Sequence, residues 1–84
     1  MSSVYDIYVE TRKLIGLLKT GGHENWALEL EGAMGGAMAS EILGDIMIVL
    51  DELRSSETIP TEATSIQKQL AMEIQKVLRR PRSG

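Results

Sequence analysis

His23 is the single histidine of the chain and stands between Gly22 and Glu24, at the expected start of a helix. An imidazole beside a carboxylate could act as a general base. No serine or threonine is placed by the sequence as a nucleophile for it, so an imidazole that caps the chain or faces water is the preferred reading. Glu41, Asp45 and Glu52 follow at separations of four and seven residues. That spacing puts all three on one helical face, where oxygen ligands could collect a divalent cation. The Glu-x-x-His pattern of di-iron bundles, a His-x-x-x-His pair and the EF-hand loop are all missing from the sequence. A solvated acidic face is the simpler expectation. Gly32 to Gly36 lacks the lysine and hydroxyl residue of a phosphate loop and follows no visible strand, so close helix approach explains these small residues better than a nucleotide does. With no cysteine in the chain, disulfides, thiolate metal sites and cysteine nucleophiles are excluded. The expectation is therefore no catalytic residue, no metal site and no cofactor.

The elements that must carry these residues are helical. Val4, Ile7, Thr11, Leu14 and Leu18, widened by Tyr8 and Ile15, repeat at helical spacing, which predicts a first helix from near Ser3 to Thr20. Ser2 or Ser3 is its expected cap, Asp6 falls early in it, and Gly21-Gly22 supplies a left-handed exit. Trp26, Ala27 and Leu30 share a face of a short second helix over 23–31, with Trp26 as the expected anchor of the core. Met34 and Met38 are read as gap fillers. The run from Gly32 to Ala39 reads as a loop or elbow, because a helical glycine costs about 1 kcal/mol relative to alanine. Ser40 then looks like the cap of a third helix whose inward stripe is Ile42, Leu43, Ile46, Val49, Leu50 and Leu53. Met47 and Ile48 lie off that stripe, so this helix should be covered on two sides, by its own fold or by another chain. A fourth helix is expected from about Pro60 to Arg79, with Ala63, Ile66, Leu70, Ile74 and Val77 inward. Pro81 disfavours further helix and leaves 81–84 as a mobile basic tail. No alternating strand pattern and no internal repeat are visible. The predicted fold is all-α, a single small bundle over 1–80 with three longer helices and one short one.

Charge separates the two ends of the chain. Residues 1–57 hold ten acidic groups against four basic ones, while residues 58–84 hold two against five, within a formal net charge of −3. The basic end could touch nucleic acid, but Lys76, Arg79 and Arg80 sit where a helix C-terminus favours cations without any ligand. Nucleic acid is therefore not the expected partner. The acidic part would steer towards a basic protein. The longest uninterrupted apolar run is Ile46 to Leu50, far short of the roughly 20 residues of a membrane span, and the first residues lack the pattern of a signal peptide. A cytoplasmic protein that does not enter the membrane is expected.

The order Leu17-Leu18, a glycine pair, Glu24-Asn25-Trp26-Ala27-Leu28-Glu29-Leu30, a glycine- and alanine-rich elbow, and Ser40-Glu41-Ile42-Leu43-Gly44-Asp45-Ile46 leads to Leu50-Asp51-Glu52-Leu53. It resembles small helical bacterial proteins with a Trp-Ala-x-x-Leu helix followed by a Ser/Thr-Glu-Ile-Leu helix. Those in turn look like the compact acidic immunity proteins that accompany secreted polymorphic toxins. The resemblance spans residues 14 to 53, about half the chain. It implies a non-catalytic protein that binds a basic toxin domain, with Glu41, Asp45 and Glu52 as the residues in contact. The rival expectation is a homodimeric structural or regulatory bundle whose contact uses Met47 and Ile48.

Overall fold

The computed structural model describes residues 6–56 and 58–79, with the side chain of Arg79 left aside. They form four helices, α1 (Ile7–Thr20), α2 (Glu24–Met34), α3 (Ala39–Arg54) and α4 (Thr61–Arg79), and contain no strand. The expected tail at 81–84, Ser2, Ser3 and Val4 lie outside the described residues. The helices are arranged in a ring in which α1 packs on α2 and α4, and α3 packs on the same two. α3 and α4 run antiparallel, with Gln67 in the first half of α4 reaching the carbonyl of Leu50 in the second half of α3 at 3.1 Å.

The cap of α1 is Asp6, not Ser2 or Ser3, and Asp6 precedes the helix instead of lying in its first turn. Its carboxylate accepts from the amides of Tyr8 and Val9 at 3.0 and 3.1 Å. A carboxylate both satisfies free amides there and carries the charge that the helix N-terminus favours. At the other end Gly21 donates to Leu17 and His23 donates to Leu18, with Gly22 at φ +83° between them. The left-handed exit was legible in the glycine pair, and Gly22 supplies it.

The second helix does not stop before Gly32. It continues to Met34 because Ala33 is buried and Met34 packs on the core, and those contacts outweigh the modest cost of one helical glycine. The elbow shrinks to Gly35–Met38. The elbow is tight at Gly36, where an added Cβ would stand 3.1 Å from the Cγ1 of Ile42 and the isoleucine would have to give way. Ser40 is not the cap of α3. The helix begins at Ala39, and its first turn closes when the Met38 carbonyl accepts from Ile42. At α4 the Pro60 carbonyl accepts from Thr64 at 3.0 Å, so the helix starts one residue after the proline.

Leu14, Leu18, Leu30, Ile46, Leu50, Leu53, Leu70 and Ile74 are fully buried, and Ala27 and Ala63 join them. Several expected inward positions differ. Trp26 is half-buried at the edge of this core instead of anchoring it, Ile7, Tyr8, Ile42 and Ile66 are also half-buried, and Val77 is 48% exposed. The antiparallel start of α3 near Val77 offers only the small, exposed Ala39 and Ser40. Gln67, 2% exposed, takes an inward place between Ala63 and Leu70, and its amide is satisfied by Leu50. Thr11 is buried in the same manner, with its hydroxyl donating to Ile7 at 2.7 Å.

Two glycine substitutions should act in opposite directions. Gly22→Ala forces a side chain into a left-handed backbone and is expected to destabilise by about 1–2 kcal/mol. Gly44→Ala adds a Cβ into open space within α3 and is expected to stabilise by about 0.5–1 kcal/mol. Urea unfolding of both variants reads the difference.

Candidate protein-interaction face

Glu41, Asp45 and Glu52 are all exposed on α3, and the described ion pairs leave them out, being Lys13–Glu10, Lys19–Glu31 and Lys76–Glu73. Burial of Leu43, Ile46, Leu50 and Leu53 fixes the rotation of the helix, so the three carboxylates share a flank turned away from the core. Ile48 falls among them at i+3 from Asp45 and i−4 from Glu52. It is 60% exposed. Met47 differs from it, being half-buried and packed against the core. The two candidate self-association residues are thus separated by the fold, and only Ile48 offers a large free apolar surface.

Asp45 and Ile48 also line an open groove of about 280 Å³ between α2 and α3, with Val49 beside them and Gly32, Ala33 and Glu29 opposite. Glu41 and Glu52 stand outside it. Glu29 is the member that sequence spacing on α3 could not supply, because it arrives from the neighbouring helix. Leu28, next to Glu29, is 61% exposed. The face therefore combines the protruding Ile48 with carboxylates from two helices, beside the small residues Gly32 and Ala33. Such a surface has the apolar centre and charged surround of a protein contact.

A second groove, about 590 Å³, runs between α1 and α2. Its floor is Ile15 and Met34, and Arg12, Gly16 and Lys19 form the α1 lip. Lys19 is held by Glu31 at 3.0 Å across the groove, whereas Arg12 makes no ion pair among the described residues. Met34 fills space as expected, while Met38 is 60% exposed on the elbow.

His23 occupies the residue before α2, half-buried, and its imidazole makes no capping hydrogen bond. The small cleft around it is lined by Gly22, Glu24, Asn25 and Trp26, and none of these is a hydroxyl nucleophile. Among the described residues no three histidine or carboxylate side chains converge as a metal site, and no helix is long and apolar enough to cross a membrane. No family model, curated protein or solved structure matches the chain.

Zinc, magnesium, calcium and manganese are each expected to leave the melting temperature unchanged. A ligand present at a hundred times its Kd adds about 2.7 kcal/mol, so a shift of several degrees at millimolar metal would reveal a site and remove this reading of the carboxylates.

Proposed function

We propose that this chain is a non-catalytic protein-binding module, most concretely an acidic bacterial immunity protein that works in the cytoplasm. In this reading a bundle of three longer helices and the short α2 presents Glu41, Asp45 and Glu52 to a basic toxin domain and covers its active site. The observation that carries the reading is Ile48, 60% exposed in the midst of carboxylates that have no cation of their own among the described residues. An aliphatic side chain within a ring of unpaired charge supplies a desolvated centre, and the charges accelerate encounter with a basic surface. Glu29 extends the same face onto α2. The resemblance of residues 14 to 53 to small immunity proteins agrees with it.

The test is recovery of a partner from the native host at about 0.15 M salt, where long-range attraction is already screened. A one-to-one complex with a basic protein is expected. Ile48→Ala should weaken it by about 2 kcal/mol, roughly thirtyfold, and Asp45→Lys with Glu52→Lys should slow association, both without loss of helicity. Co-expression of this chain should also restore growth of cells expressing that partner. Recovery of the chain alone, or a complex indifferent to these substitutions, would defeat the proposal.

Self-association as a structural or regulatory bundle is the second reading, and the exposure of Ile48 favours it. Met47 contributes less, since the core already holds much of its surface.

A further inference from the structure

The α1–α2 groove and the α3 stripe carry matching patterns. Arg12, Gly16 and Lys19 stand at i, i+4 and i+7 on α1, all exposed. Glu52, Ile48 and Asp45, read backwards along α3, stand at the same intervals and are exposed too. Seven helical residues rise about 10.5 Å in both cases. When α3 of one molecule is laid antiparallel along α1 of another, Glu52 meets Arg12, Asp45 meets Lys19, and Ile48 comes level with Gly16. The groove has an apolar floor of Ile15 and Met34 at that level. Gly16 leaves the space open, since a Cβ built there would meet nothing within 4 Å.

We infer that a second copy of this chain docks its Ile48 stripe into the α1–α2 groove, where Arg12 meets Glu52 and Lys19 is shared between Asp45 and the Glu31 that already holds it. This differs from a two-fold contact through Met47 and Ile48, in which acidic stripes would face each other and repel. It needs only the chain itself and does not rest on the toxin-binding reading. Groove and stripe are different surfaces, so the contact is heterologous. A dimer retains one free groove and one free stripe, and addition continues until a ring closes or a short chain forms.

The experiment uses light scattering after size-exclusion chromatography over a dilution series at low salt. The groove variant carries Arg12→Glu and Gly16→Glu, neither of which removes a partner of a described ion pair, and a Cβ at position 16 meets nothing within 4 Å. The stripe variant carries Ile48→Glu. The unsubstituted chain is expected to grow in mass with concentration, and each variant alone to associate at least tenfold more weakly. Mixed together, the two variants should form a one-to-one heterodimer and nothing larger, because one intact stripe then finds one intact groove. A chain that stays monomeric at every concentration overturns the inference, as does a groove variant that assembles like the original or a mixture that remains monomeric. Helicity and melting temperature of each variant confirm that it folds.

Discussion

An aliphatic core without a single phenylalanine is the constraint on which the rest of the molecule depends. Four helices must close over leucine, isoleucine and valine side chains, helped by the small Ala27, Ala33 and Ala63. Each helix is thereby locked in rotation, because a small core has little area to lose before the domain falls below useful stability. In α3 the lock is complete: Ile46, Leu50 and Leu53 are fully buried and Leu43 nearly so. Ile48 lies two residues, about 200°, beyond Ile46 and must point outwards. Turning α3 to bury Ile48 would bring out the inward side, where five side chains, Leu43, Ile46, Val49, Leu50 and Leu53, are buried. Its exposure follows from the core's geometry, and the carboxylates around it inherit their common direction from the same cause.

The interior glycines of the helices belong to the outer surface of this arrangement. Gly16, Gly32 and Gly44 each lie within a helix, and a Cβ at any of them would meet nothing within 4 Å. Packing inside the molecule therefore does not require glycine at these places, although each costs the helix about 1 kcal/mol relative to alanine. Gly21 and Gly36 are different, with neighbours 3.1–3.2 Å from an added Cβ. Gly16 and Gly32 open the two grooves that flank α2, whereas the elbow glycines shape the chain itself. This divides the glycines into those that the fold uses and those that lower its walls.

Much of this was legible in the sequence, and the failures have identifiable causes. The inward stripes of α1 and α3 follow helical spacing of apolar residues, and the shared face of Glu41, Asp45 and Glu52 follows from the same period. Ile48 was visible as a residue off the core stripe. Local rules failed at helix ends. Gly32 resembled a breaker until Ala33 and Met34 found the core, and Ser40 had the chemistry of a cap but lay one residue inside a helix already begun at Ala39. Gln67 was hidden by its polarity, although Ala63, Gln67, Leu70 and Ile74 form a regular i, i+4, i+7, i+11 stripe. Trp26 was overvalued by size, since a narrow core accepts Ala27 and Leu30 and leaves the indole at its edge. Glu29 could not be assigned to the acidic face from spacing because it comes from another helix, and only the packing of α2 on α3 brings it beside Asp45.

If one stripe serves both the proposed second copy and the proposed basic partner, the two contacts are mutually exclusive. Each binds the free stripe, so each lowers the concentration available to the other, and the coupling is reciprocal by linkage. A partner's apparent Kd rises in inverse proportion to the fraction of stripes left free. If self-association occupied nine stripes in ten, the partner would bind about tenfold more weakly, equivalent to about 1.4 kcal/mol. Salt affects both sides of this competition, since both contacts set carboxylates against cations, whereas the aliphatic part around Ile48 is little screened. The balance between the two states therefore rests on how well Ile48 is covered in each, and the floor of Ile15 and Met34 is the cover that the chain itself provides.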